Sequence, residues 1–173
     1  ACLLGHRRIL RQIVKAATNN EEHFLVLESD SKILNFTLLK TYFEPISKQY
    51  DFFFWGAWEG NAKVKRSKGQ LIEGKYTIGE PLLHTIYCTY GYSLNKPTAQ
   101  YLLKQSAKIS TPFDIFKQFV DPSKIRLGTI TKEIITTWDE GSYIRNDKFF
   151  KRSKKAVFIF FLNIKNSIQA YFS

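Results

Sequence analysis

Apolar and polar positions recur along the chain with two periods, and the changes between them mark the elements. Over residues 2–18, Leu3, His6, Leu10, Ile13, Val14 and Ala17 fall on one helical face while Arg7, Arg8, Arg11 and Lys15 point elsewhere. That spacing predicts a helix ended by Asn19 and Asn20. Residues 23–28 are a continuous apolar run that breaks into Ser29, Asp30 and Ser31, the pattern of a buried parallel strand at its carboxyl end. Helical spacing returns over 32–44 through Ile33, Leu34, Leu38, Leu39 and Phe43, and residues 51–55 predict a second strand. From Gly56 to Gly79 the periodicity vanishes. This stretch holds five of the nine glycines and the cluster Lys63, Lys65, Arg66 and Lys68, which predicts a long exposed loop. Residues 83–94 predict another strand region. Pro97 suits the first turn of a helix through Ala99, Leu102, Leu103 and Ser106. Residues 124–130 and 134–138 predict two more extended pieces. Helices alternating with strands indicate the α/β class.

The composition narrows the picture. A chain of 173 residues, 44% hydrophobic and 16% aromatic, has apolar material for one compact core. The net charge of +11 comes with only 24% charged residues, so disorder is not expected. Cys2 and Cys88 cannot supply a disulfide framework, and no stretch resembles a signal peptide, so a reducing, cytoplasmic setting is expected. The longest apolar run, residues 156–162, is seven residues, against the roughly 20 of a membrane span. There is no methionine, even at position 1, which points to a chain processed at its start or cut from something longer. The phosphate-binding loop, the dinucleotide fingerprint and the serine nucleophile elbow are missing. His6, His23 and His84 are scattered without zinc-ligand spacing.

One stretch offers chemistry. Glu28 and Asp30 stand where an apolar strand ends, the place where open α/β sheets collect ligands, and two carboxylates there can hold a divalent ion that bridges a diphosphate. The alternative is a solvated turn with Asp30 or Ser31 capping the next helix.

Four blocks carry a resemblance. They are Ala1-Cys-Leu-Leu-Gly-His6, Leu25-Val-Leu-Glu-Ser-Asp30, Cys88-Thr-Tyr-Gly-Tyr-Ser-Leu-Asn-Lys96 running into Ala99-Gln-Tyr-Leu-Leu103, and Thr111-Pro-Phe-Asp114. In this order and spacing, over about residues 1–120, they resemble glycosyltransferase family 25, which includes lipooligosaccharide galactosyltransferases of Gram-negative bacteria. The resemblance implies a GT-A-like fold, a Rossmann-type mixed sheet flanked by helices. It implies a metal-dependent inverting transfer of a hexose, commonly galactose, from a UDP-sugar to the lipooligosaccharide core, with Mn²⁺ or Mg²⁺ as cofactor. Carried over by position, Glu28 and Asp30 become metal and donor ligands, Asp30 the more direct. Tyr90 and Gly91 join the donor site, with Tyr92 beside them, and Asp114 becomes the acceptor-side base or an acceptor hydrogen bond. Each has a structural alternative: core packing for the two tyrosines, a helix cap for Asp114, and a hydrogen-bonded core histidine for His6.

The chain departs from the family twice. Ser29 stands where the family's Leu-Glu-Asp-Asp motif has its first aspartate, and the family's opening strand with its Asp-Arg is missing before Ala1. These departures support a second expectation, a truncated, noncatalytic remnant or binding protein of the same fold. Residues 1–143 are read as the catalytic domain and 144–173 as a basic amphipathic tail. That tail holds seven Lys or Arg against Asp147 alone, +6 of the total +11, beside apolar positions at helical spacing. It suits the anionic cytoplasmic face of the inner membrane, with a helix packed on the core as the alternative. A nucleic-acid partner is not expected, because the charge is concentrated in the tail and the aromatics lie in apolar runs.

Overall fold

The computed structural model describes residues 2–57, 61–107, 112, 113, 115–118, 120–137, 159 and 162–173. The chain runs through α1 (Cys2–Ala16), β1 (His23–Leu27), β2 (Ser31–Ile33), α2 (Phe36–Gln49), β3 (Phe52–Gly56), β4 (Val64–Ile72), β5 (Tyr76–Pro81), β6 (Gly91–Asn95), α3 (Lys96–Gln105), β7 (Leu127–Thr131) and β8 (Ile135–Thr137). Six strands make one sheet in the order β1, β6, β3, β7, β5, β4, and β2 pairs with β8 separately. The pair β3 and β7 is parallel, while the other neighbours in the six-stranded sheet are antiparallel. This is a mixed α/β fold whose helices flank a mixed sheet.

β3 shows how the sequence builds the layers. Successive strand side chains point to opposite faces, so Phe52 and Phe54 enter one core with Tyr92, Leu94 and the apolar faces of α1 and α3. Phe53 and Trp55 enter the other, with Leu38, Leu39 and Ile46 of α2. All five β3 residues are buried, and each large side chain removed from water contributes roughly 1.5–3 kcal/mol. The helices are fixed by local signals. Asn95 Oδ1 accepts from Thr98 N–H at the start of α3, with Pro97 in the first turn. At the far end of α3, Arg7 donates to the Leu103 carbonyl at 2.8 Å and ties α1 to it.

Four sequence expectations are corrected. The stretch from 56 to 79 contains the β4–β5 hairpin instead of a loop. β4 is an exposed edge strand whose pairing with β5 shifts register between Val64 and Gly69, which erases the alternation that would reveal it. The hairpin turns where Glu73 and Gly74 both have positive φ (48° and 61°), and Lys75 N–H donates to the Ile72 carbonyl, the twist that tight hairpins prefer. The helix expected from residue 32 begins at Phe36 and is capped by Asn35, whose Oδ1 accepts from Leu38 N–H. Neither Asp30 nor Ser31 caps it. β1 is an antiparallel edge strand rather than a buried parallel one, and among the described residues its one partner strand is β6. In the 83–94 region the strand begins only at Gly91.

At the amino ends of β3 and β7 the sheet is pinned by Asp51 and Arg126. The guanidinium reaches Asp51 through Nη2 (2.6 Å) and Nε (3.1 Å), and the Arg126 N–H donates to Oδ2 at 2.8 Å. Burial pushes the Asp51 carboxyl up, but the Arg126 hydrogen bonds, its charge and the Asn95 amide outweigh this and hold it below the ordinary aspartate value. Stability from this group is therefore complete above the unfolded-chain value of about 4 and is lost as pH falls through the lower folded value. Asp51→Asn is expected to cost about 1–2 kcal/mol at neutral pH. Its deficit relative to wild type should shrink below a pH of about 4, as urea unfolding of both proteins across that range would measure.

Candidate active site at the carboxyl end of β1

β1 ends at Leu27, and Glu28 leaves the sheet with its N–H donating to the Tyr90 carbonyl at 3.0 Å. Its side chain turns inward. Glu28 Oε1 lies 3.2 Å from His6 Nε2 and accepts from the Thr89 hydroxyl at 3.2 Å. His6 stands on the buried face of α1, 4% exposed. Its Nδ1 is 2.9 Å from the Tyr92 hydroxyl, and its ring stacks on Phe113 at 4.3 Å between centroids. A carboxylate only accepts, so the Nε2 facing it carries a proton, while Nδ1 shares a hydrogen bond with the Tyr92 hydroxyl. Four chain segments, at residues 6, 28, 89–92 and 113, thus meet around one imidazole.

The chain then makes a turn, with Ser31 N–H donating to the Glu28 carbonyl at 3.0 Å and the Ser31 hydroxyl donating to the Tyr90 carbonyl. Asp30 is exposed at the rim, and its Oδ2 accepts from Thr137 of β8 at 3.0 Å. Glu28 and Asp30, two residues apart, are held by different partners: His6 and Thr89 for one, the β8 end for the other. Among the described residues no three His, Cys, Asp or Glu side chains are grouped as metal ligands. Asp30 can still offer an oxygen to a hydrated divalent ion whose shell is completed by phosphate and water. Glu28 already accepts two hydrogen bonds on one oxygen and fits a joint ligand role less well.

Tyr90 and Tyr92 are both buried, 2% and 0% exposed, so the packing alternative describes both rings. Tyr90 also donates its hydroxyl to Glu133. Gly91 permits a close approach, and the approaching group is Ile135 of β8: a Cβ on Gly91 would lie 2.5 Å from Ile135 Cγ2. His6 is the hydrogen-bonded buried histidine that its helical position implies. Asp114 lies outside the described residues, as do residues 144–158 of the tail. Sequence reasoning missed Thr137 and Glu133, which lack any motif of their own, and assigned no role to Thr89 within the Cys88–Lys96 block; all three enter the site because the fold brings the ends of β1, β6 and β8 together.

A hollow of about 480 Å³ lies at the opposite end of the sheet, lined by residues that include Tyr50, Asp51, Lys68, Glu80, Lys124 and Arg126. Its two acids are engaged, Asp51 by Arg126 and Glu80 by Lys65, and none of Glu28, Asp30, Tyr90 or Gly91 lines it. The polar cluster at the carboxyl end of β1 is the better candidate, because it joins a buried histidine to a half-exposed carboxylate beside a second, exposed one. No family model, curated protein or solved structure matches the chain.

Proposed function

We propose that this chain is a GT-A-type transferase similar to glycosyltransferase family 25, moving a hexose, galactose foremost, from a UDP-sugar to a lipooligosaccharide acceptor with inversion. The observation that carries this reading is the convergence on His6. The four sequence blocks that resemble the family are dispersed over more than a hundred positions, and each sends at least one side chain to the same cluster: His6, Glu28, Thr89 with Tyr92, and Phe113.

In this reading the donor lies over the turn at residues 28–31. Asp30 would hold Mn²⁺ or Mg²⁺ together with the diphosphate oxygens, and the ion, when bound, neutralises charge on the departing UDP. His6 and Thr89 orient Glu28 at the donor side. The Tyr90 carbonyl holds both Glu28 N–H and the Ser31 hydroxyl, and Gly91 lets β8 come close enough for Thr137 to orient Asp30. A carboxylate, with Asp114 as candidate, takes the proton of the acceptor hydroxyl. The acceptor oxygen bonds to the anomeric carbon as the opposite bond to UDP breaks, which inverts the centre.

A second reading, a noncatalytic binding protein of the same fold, is favoured by one observation: the inward turn of Glu28, with serine at position 29, leaves Asp30 as the one outward carboxylate of the turn. The melting temperature with UDP, UDP-galactose and UDP-glucose, each with Mn²⁺ or with chelator, separates the two when paired with a product assay. A ligand at a hundred times its Kd is expected to raise it by about 5–10 °C. Asp30→Asn is expected to abolish the metal-dependent part. A rise without product supports the binding protein, and a folded chain with neither overturns the transferase.

A further inference from the structure

Helical residues 162–171 fasten to the body by a narrow polar and small-residue face. Asn166 and Ala170 are buried at 1% and 8% exposure, and Asn166 Oδ1 lies 3.1 Å from His84 Nε2. The Ser67 hydroxyl donates to the Ser173 carbonyl at 2.6 Å, and the Arg66 guanidinium lies 3.8 Å over the Tyr171 ring. Most of the large apolar side chains of this segment are exposed. Ile164, Ile168 and Tyr171 are 42%, 56% and 58% exposed, and Phe172 is 82% exposed. Positions 164, 168 and 171 share one side of a helix. A helix packed on a core buries its large apolar side chains; this one presents them to the outside.

The charged side chains that border this stripe are basic. Exposed Lys165 is on the helix, exposed Arg66 reaches it from the neighbouring β4, and residues 159–173 contain no Asp or Glu. In sequence, residues 144–155 add six Lys or Arg against one Asp. We propose that this face lies on an anionic bilayer surface, with Ile164, Ile168, Tyr171 and Phe172 at the headgroup boundary and Arg66 and Lys165 against the headgroups. The complementarity selects the occupant. A second copy would bring cations to cations, and a nucleic acid would leave the apolar stripe in water. No helix among the described residues is long and apolar enough to cross a membrane, so the contact is lateral. The inference stands apart from the transferase reading.

Sedimentation of the full chain with phosphatidylcholine vesicles, with and without a quarter phosphatidylglycerol, tests it. The chain is expected to bind the anionic vesicles, to bind the neutral ones far less, and to weaken as salt rises. The double replacement Ile168→Ser with Phe172→Ser is expected to weaken binding by roughly ten- to a hundredfold without moving the melting temperature, since both side chains are exposed. Equal binding to both vesicles, binding unaffected by the double replacement, or no binding by the folded chain would overturn the proposal. So would a dimer in vesicle-free buffer that the replacement converts to monomer, which would assign the stripe to a second copy. UDP-dependent melting is read without vesicles, so either idea can fail alone.

Discussion

His6→Ala is expected to lower the unfolding free energy by about 3–4 kcal/mol, more than an ordinary surface-helix replacement by several-fold. Three losses combine. The stacked contact with Phe113 goes and a void replaces the ring. The Tyr92 hydroxyl, on a side chain with no exposure, loses its imidazole partner. Glu28 loses the Nε2–H donor and keeps only Thr89. Tyr92→Phe removes the hydroxyl that bonds Nδ1 and keeps the ring, so it is expected to cost about 1–2 kcal/mol. Because both replacements break the same hydrogen bond, the double variant is expected to fall short of the sum by about 1 kcal/mol. Urea unfolding of the four proteins measures this cycle. Strictly additive costs would mean that His6 and Tyr92 are neighbours without a shared bond, and a His6→Ala cost under about 1 kcal/mol would remove the histidine from the network altogether.

How much of this was legible depends on whether the forces that fix an element are local. α1 is readable because its apolar face repeats within its own length, and the same repeat places His6 inward. α3 is readable because Asn95 and Pro97 are its own start signals. β1 and β2 are different. An apolar run looks alike whether its neighbours are parallel or antiparallel, and β1 takes its direction from β6, more than sixty residues later. Residues 32 and 33 fit the start of a helical pattern, but β8, about a hundred residues away, pairs with residues 31–33 as a strand. β4 was hidden because an edge strand with a register shift, whose successive residues 66–71 are exposed on both faces, has no reason to alternate. The site divides in the same way. Glu28 and Asp30 stand two apart in the sequence and read as one acidic unit, yet their separation into an inward and an outward carboxylate is decided by His6, Thr89 and Thr137. No spacing rule near residue 28 contains that information.

The close crossing of β8 over the end of β3 makes Gly56→Ala the second large expected effect, a loss of about 3 kcal/mol, or roughly 6–12 °C in melting temperature. A Cβ on Gly56 would lie 1.7 Å from the Ile135 carbonyl oxygen and 2.7 Å from the Tyr90 ring. The first of these is backbone, which cannot swing aside as a side-chain tip can. Making room means lifting the β8 segment, and that segment is held by Ile134 N–H on the Trp55 carbonyl (3.1 Å) and by Leu34 N–H on the Ile134 carbonyl (2.8 Å). The strain therefore passes to β2 and to the turn before it. Gly5→Ala is the control, because Gly5 lies in α1 with nothing within 4 Å of its added methyl. There the helix propensity of alanine is expected to stabilise the protein by a few tenths to about 1 kcal/mol. Equal effects from the two replacements would show that β8 does not press on β3. If it does, Gly56→Ala also displaces Thr137 from Asp30, and any metal-dependent rise in melting temperature with UDP should diminish in Gly56→Ala while persisting in Gly5→Ala.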